Sequence, residues 1–372
     1  MRAWRALAFV ACCLAATPMR SEERLLVEET FLAVDIRGHL YNLEALVLRE
    51  AGSPGRLPVA LITHGQAPDP GERERVSARA FLRTAREFAR RGWLAAVVVR
   101  RGFGRSEGRQ FYALRGCRDG DYAPMLDEQT DDVEAALVSL RRRRDADPER
   151  MIALGVSTGG AVVLNLAARR PEGLRAVINV SGGVRTRAPE GGSAACKPED
   201  LISLFARLGE RGRLPSLWLY AENDSFFPGD YVRQLHEAYV AKGGRTEFHM
   251  FEAIGEDGHS MFRQAEGMLR WIPALDRFLR AQALPTHDPS AVDALLRGLK
   301  LSPSGRQVAM RYWGRPTEKV MAASQTNKTI YVQFGGDDLD EVEAKARQVC
   351  EERAKEPCRI LLRNFEVVSG AE

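Results

Sequence analysis

Gly155-Val156-Ser157-Thr158-Gly159-Gly160 stands between an apolar run, residues 151–155, and a helical stretch, residues 158–169. Strand, tight turn and helix is the context in which a G-x-S-x-G pattern presents a serine for nucleophilic attack. The turn is so sharp that side chains at the two glycine positions would collide, and Gly155 and Gly159 remove the clash. The Ser157 hydroxyl then projects above the strand end. The helix that follows aims its first amide donors at the same place, which favours negative charge there. Ser157 is the candidate nucleophile.

A serine hydroxyl needs a base to take its proton, and the base needs a carboxylate to orient it. Downstream lies Ala221-Glu222-Asn223-Asp224-Ser225-Phe226-Phe227-Pro228, directly after an apolar strand at 217–220. Later comes Gly258-His259-Ser260-Met261-Phe262, after a strand at 247–251. Both blocks fall where the chain leaves the carboxyl end of a strand, the face on which open α/β sheets bind ligands. His259 is the candidate base, and Glu222 and Asp224 are both candidate acids. Glu256 and Asp257 lie too close to His259 along the chain to orient it. Of the other histidines, His236 falls on a helix, His249 within a strand, and His39 and His287 in or near turns. These four read as structural or solvent-exposed.

Working outward, strand-like and helical stretches alternate. An antiparallel opening pair (25–34 and 43–48) leads to a buried strand at 59–62, an amphipathic stretch at 75–91 and a strand at 94–99. A helix at 127–144, the elbow, a strand at 174–180, and then helices at 230–242 and 261–280 around the strands already named complete the series. Continuous apolar strands separated by helices predict a mostly parallel sheet covered on both faces. Two segments, 109–124 and 182–213, read as irregular and are expected to overhang the site. Prolines and polar residues break the pattern at 284–289 and again at 301–305. This predicts a catalytic domain over 21–284, a linker over 285–300 and a small α+β domain over 301–372.

Taken together, these blocks make the chain resemble the α/β-hydrolase superfamily, nearest its dienelactone-hydrolase-like and prolyl-oligopeptidase-like branch. The matching blocks are His64-Gly65-Gln66, Arg101-Gly102-Phe103-Gly104-Arg105-Ser106-Glu107-Gly108, the elbow, and the segments bearing Asp224 and His259. The resemblance spans roughly residues 25 to 282. It implies a twisted eight-stranded sheet, a Ser157–Asp224–His259 triad, and an oxyanion hole from the backbone amides of Thr158 and Gln66. The family pattern places the acid at Asp224 rather than Glu222. His64 is expected to support the oxyanion loop rather than transfer protons. The expected reaction is hydrolysis of a small or medium carboxylic ester through an acyl-enzyme, with no cofactor. A peptidase acting on short peptides and a non-catalytic exported binding protein are the alternatives.

Composition narrows the setting. The 372 residues are 45% apolar and 28% charged, with a formal net charge of +4, an ordinary globular balance. The one dense basic run, Arg141-Arg142-Arg143-Arg144, closes a helical stretch, where cations complement the helix dipole. No aromatic interleaving or nucleic-acid motif accompanies it, so a nucleic-acid partner is not expected. Dinucleotide, P-loop and H-E-x-x-H zinc patterns are lacking as well. At the N-terminus, Arg2 and Arg5 precede an apolar run from Ala6 to Ala16 with small residues after it, which predicts a signal peptide over residues 1–20. The run is shorter than the roughly 20 residues that span a bilayer. The expectation is an exported chain, periplasmic or secreted. Beyond residue 20 stand Cys117, Cys196, Cys350 and Cys358, an even set that an oxidising compartment would pair. Three pairings are open, and domain position favours Cys117–Cys196 with Cys350–Cys358.

Overall fold

The computed structural model describes residues 25–67, 69–110, 122–184, 197–299 and 301–368. The signal-peptide expectation and both Cys117 and Cys196 lie outside the described residues.

The chain opens on a hairpin of β1 (Leu25–Ile36) and β2 (His39–Glu50), paired antiparallel over their whole length. Its two-residue turn places Arg37 and Gly38 at φ 55° and 83°, the left-handed pair that matches strand twist. Then follow β3 (Leu57–Thr63), α1 (Pro70–Glu74), α2 (Leu82–Ala89), β4 (Leu94–Val98), α3 (Ala123–Arg141) and β5 (Ala146–Val156). Next come α4 (Thr158–Arg169), β6 (Leu174–Val180), α5 (Pro198–Arg211), β7 (Ser216–Ala221), α6 (Gly229–Ala241), β8 (Thr246–Phe251) and α7 (Ala265–Ala281). The sheet order is β1-β2-β4-β3-β5-β6-β7-β8. Strands from β4 through β8 run parallel, and β2 joins them antiparallel.

Every residue of β3 and β4 is buried, which is why these strands read as unbroken apolar runs rather than alternating ones. Separate apolar clusters fill the two faces, one around Val133, Val163, Phe205 and Trp218, the other around Phe88, Trp93, Trp271 and Phe278. The order reverses beside β3 and β5, so the loops after those strands open into a shared crevice at their carboxyl ends.

Two stretches differ from the sequence reading. The segment 182–213 is not irregular throughout, because α5 occupies Pro198–Arg211. Pro198, Glu199 and Asp200 form its first turn, and Leu201, Leu204, Phe205 and Leu208 make a buried stripe. That stripe packs into the core, so α5 covers the sheet rather than overhanging the crevice. Likewise the stretch read as a linker carries α8 (Ser290–Gly298), whose Val292 sits in the core of the C-terminal unit. Pro289 is the N-cap of α8, and a proline there resembles a break when read alone.

After α9 (Pro303–Met310), strands β9 (Lys319–Ser324), β10 (Ile330–Phe334), β11 (Cys358–Arg363) and β12 (Glu366–Val367) form an antiparallel sheet in the order β10-β9-β11-β12. Helix α10 (Leu339–Ala354) covers it, and a disulfide joins Cys350 at the end of α10 to Cys358 at the start of β11. The unit is bound to the larger sheet through α2, whose residues from Thr84 to Ala89 are all buried. Arg90 meets Glu318 at 2.8 Å, Glu87 accepts from the Thr317 amide and hydroxyl, and Arg86 reaches Asp337 at 3.0 Å. Inside this contact Lys319 is fully buried, donating to the carbonyls of Tyr312, Trp313 and Arg315 beneath the Phe365 ring. Burial lowers its pKa to about 7.

The arginine run at the end of α3 is engaged in ion pairs. Arg141 pairs with Glu172 and Arg143 with Asp145 and Glu28. No helix among the described residues is long and apolar enough to cross a membrane.

Candidate active site

Ser157 sits at the junction of β5 and α4 with φ 55° and ψ −125°, a conformation that L-residues rarely adopt. Close packing enforces it: a Cβ at Gly155 would fall 1.9 Å from the Gly159 carbonyl oxygen, and one at Gly159 2.4 Å from that of His64. The Ser157 amide donates to the Val180 carbonyl, and its own carbonyl accepts from Gly160 and Gly183. The hydroxyl is thus delivered to the crevice by a backbone tied to β6.

His259 follows β8 in a short 3-10 turn capped by Asp257. Its Nε2 lies 3.1 Å from Ser157 Oγ, and its Nδ1 lies 3.0 Å from both carboxylate oxygens of Asp224. Asp224 is buried, and its Oδ1 also accepts the amides of Phe226 and Phe227 at 2.8 and 2.9 Å. The loop bearing Asp224 and the loop bearing His259 are stitched together. Asn223 donates to the Ile254 and Gly255 carbonyls and accepts the Ile254 amide, while Gly258 donates to the Asn223 carbonyl. Asp257 accepts from the amides of His259 and Ser225 and from the Ser225 hydroxyl. Burial alone would raise its pKa, but these hydrogen bonds outweigh it and lower it. Phe226 stacks on the imidazole at 4.3 Å.

The rival acid is elsewhere. Glu222 pairs with Arg233 on the surface, and Asp257 holds the loop rather than the ring. His236 stacks on Phe248 and His249 pairs with Glu247, both away from the serine. His39 is exposed at the start of β2. His287 is half-buried against Phe365, where desolvation and then the charge of Arg91 lower its pKa to about 3. His64 donates from Nδ1 to the Gly65 carbonyl at 2.7 Å and accepts the Arg100 amide at Nε2. Burial, followed by the Arg100 charge, drives its pKa well below the usual range, so the ring is neutral.

Ser157 and His259 face a cavity of about 840 Å³ whose walls include Gln66, Ala67, Val76, Phe81, Thr158 and Phe226. The Thr158 amide is at the first position of α4 and has no carbonyl one turn back. Gly65 lies directly against the serine: a Cβ there would come 2.8 Å from Ser157 Cβ. This places Gln66 beside Ser157, its side chain held by Gln129 from α3 at 3.1 Å. Charged residues of the rim are Glu72, Arg75 and Arg263. Among the described residues no group of three or more His, Cys, Asp or Glu is arranged to hold a metal.

Sequence reading did not find Asn223, Phe226 or Arg100. Their roles rest on contacts between segments far apart in the chain, and no local pattern announces them.

A parallel sheet reversed at β3 and β5, with a sharp serine turn above it, is the α/β-hydrolase fold. Within it, the family model described as serine aminopeptidase, S33, matches residues 75–214. The acylaminoacyl peptidase of Pyrococcus horikoshii is similar in fold at 18% identity and a TM-score of 0.50, covering 70% of this chain and 43% of its own. An acetyl xylan esterase from Paenibacillus sp. R4 is 19% identical with a TM-score of 0.48, covering 70% and 86% of the two chains. An esterase of Pyrococcus furiosus is 14% identical with a TM-score of 0.48, covering 68% and 90%.

Proposed function

We propose that this chain is a serine hydrolase that cleaves carboxylic esters of small or medium size through an acyl-enzyme at Ser157. The observation that carries the reading is the continuous line from Asp224 to His259 to Ser157, at 3.0 and 3.1 Å. With its Nδ1 facing a carboxylate, the imidazole keeps its proton there and leaves Nε2 free to accept. His259 takes the Ser157 proton as the oxygen attacks the substrate carbonyl carbon. The amides of Thr158 and Gln66 receive the developing oxyanion, and removal of one such donor typically costs about 3 kcal/mol of barrier. His259 then returns the proton to the leaving alcohol, and water resolves the ester formed on Ser157 by the same steps in reverse.

Peptide cleavage is the second reading, favoured by the serine aminopeptidase description of the matching family. A fluorophosphonate probe should label the wild type and not Ser157→Ala, and failure to label the wild type would reject both readings. Turnover of p-nitrophenyl acyl esters against aminoacyl-proline anilides then separates esterase from peptidase.

The chain is further proposed to be exported. Support comes from Arg2 and Arg5 before the Ala6 to Ala16 run and from the Cys350–Cys358 disulfide, a bond that persists in oxidising compartments. Fractionation with N-terminal sequencing tests it: a trimmed N-terminus near residue 20 is expected, and an intact Met1 in the cytoplasm would reject it.

A further inference from the structure

Arg100 is the second residue past β4 and is fully buried, yet it has no carboxylate of its own. The nearest, Asp132, is engaged by Arg101 through the backbone amide at 2.9 Å and Nε at 2.5 Å. Arg100 instead directs its two terminal nitrogens at three consecutive residues, Thr63 at the end of β3 and His64 and Gly65 just past it. Nη1 donates to Thr63 Oγ1 at 2.9 Å and to the His64 carbonyl at 2.6 Å, and Nη2 donates to the Gly65 carbonyl at 3.0 Å. Its backbone amide donates to His64 Nε2 at 3.0 Å, which leaves Nδ1 of that neutral ring as a donor to the same Gly65 carbonyl. The Gly65 carbonyl therefore accepts from two buried donors on one side.

A peptide unit is planar and trans, so its C=O and the following N–H point in opposite directions. The Gly65 carbonyl and the Gln66 amide belong to one such unit. Drawing the carbonyl toward Arg100 turns the Gln66 N–H the other way, and both Gly65 and Gln66 line the cavity that Ser157 and His259 share. Flipping this peptide would take an acceptor from a desolvated guanidinium and set an N–H against it. A buried cation with unmet donors is strongly disfavoured, so the flipped state is suppressed. The same residue thus both selects and maintains one orientation.

From this geometry we infer that Arg100 is a positioning residue that locks the Gly65–Gln66 peptide, so that the Gln66 amide is aimed at the oxyanion before substrate arrives. The inference rests on the hydrolase reading above. Arg100 touches no substrate and moves no proton. Its effect is to keep a hydrogen-bond donor aligned without reorganisation during the reaction, which is where such donors act most strongly. The planar fork matters as well as the charge, because a single ammonium does not span the Thr63, His64 and Gly65 acceptors together.

The test compares wild type, Arg100→Lys and Arg100→Met on one neutral p-nitrophenyl ester, with an alkylboronic acid as a mimic of the tetrahedral oxyanion. In Arg100→Met, kcat should fall by about 10²-fold, the boronate inhibition constant should rise in parallel, and KM should stay within about threefold. Arg100→Lys should lose roughly fivefold or more in kcat with a matching loss in boronate affinity. Wild-type kcat and boronate affinity in folded Arg100→Met, with only the melting temperature lowered, would reduce the residue to a purely structural part and overturn the inference. Should Arg100→Met fail to fold, unchanged kcat and boronate affinity in Arg100→Lys overturns it equally. Ser157→Ala run beside them keeps the two readings apart. Turnover that survives in Ser157→Ala defeats the hydrolase mechanism itself, whereas its loss alongside fully active Arg100 variants defeats only the role given to Arg100.

Discussion

Both carboxylate oxygens of Asp224 lie 3.0 Å from Nδ1 of His259. Because one of them also accepts the Phe226 and Phe227 amides, the carboxylate cannot rotate away without losing three hydrogen bonds at once. Asp224→Asn presents a neutral group that can donate back to the ring and favour the wrong tautomer. We expect kcat to fall by roughly 10⁴-fold with the fold unchanged. Glu222→Gln, which alters only a surface pair with Arg233, should leave kcat within about twofold. Steady-state kinetics on both variants decides between the acids: a severe loss in Glu222→Gln with an active Asp224→Asn would reverse the assignment.

Gly65 is the point where the loop after β3 meets Ser157. An added methyl would stand 2.8 Å from Ser157 Cβ and 3.3 Å from the Val156 carbonyl oxygen, so one of the two segments must shift. A displacement near 1 Å at a reacting centre typically costs about 10²-fold. Gly65→Ala should therefore lose about that much in kcat/KM and little in melting temperature. Undiminished turnover would mean the loop yields without moving the Gln66 amide.

Arg90 and Glu318 form a buried pair between α2 and the C-terminal unit, with side chains only 5% and 2% exposed. Removing the Glu318 charge leaves Arg90 with only the half-exposed Glu50 at 3.2 Å as its carboxylate, so the cost should fall below the about 3–5 kcal/mol of a fully stranded buried charge. Glu318→Gln should lower the urea midpoint accordingly. Because the contact joins the two units, the loss should appear as one of them unfolding ahead of the other. A variant as stable as the wild type would show that water reaches Arg90.

Asp276 on α7 receives Arg91 at 2.6 and 2.9 Å and the Thr286 hydroxyl at 2.7 Å. Burial alone would raise its pKa, but the Arg91 charge and these hydrogen bonds outweigh it and lower it to about 2 from an ordinary 3.8. The unfolded chain thus binds the extra proton between those values, so stability rises with pH across that window. The contribution, on the order of 2 kcal/mol, is fully present above about pH 4 and is lost as pH falls toward 2. Asp276→Asn should be less stable than wild type at pH 7, with the gap narrowing to roughly a third by pH 2.5. A gap of constant size across urea titrations at pH 7, 4 and 2.5 would rule this out.

The alternation of strands β1 to β8 with most of their helices, the serine elbow and the blocks holding Asp224 and His259 were legible in the sequence. Each depends on neighbours along the chain: apolar runs for buried strands, glycines where a turn is too tight for Cβ atoms, and a loop directly after a strand. The reading failed where local signals conflicted. Helix α5 carries a clear apolar stripe, Leu201, Leu204, Phe205 and Leu208, but it follows a polar, glycine-rich approach that suggested a loop. Helix α8 lies between prolines that suggested a linker.

What the sequence alone determined is which side chains are available and on which strand ends they stand, because hydrophobic period and turn chemistry are properties of consecutive residues. Only the tertiary structure decided which of them act together. Glu222 and Asp224 are two residues apart and chemically alike, yet one faces Arg233 and the other His259. Arg100 carries no local sign that its guanidinium turns inward to hold the carbonyls of His64 and Gly65. Those outcomes depend on the β3–β4 and β7–β8 pairings, which bring residues some 35 positions apart to hydrogen-bond distance. Such pairings are settled by the packing of the whole sheet, not by any stretch of chain within it.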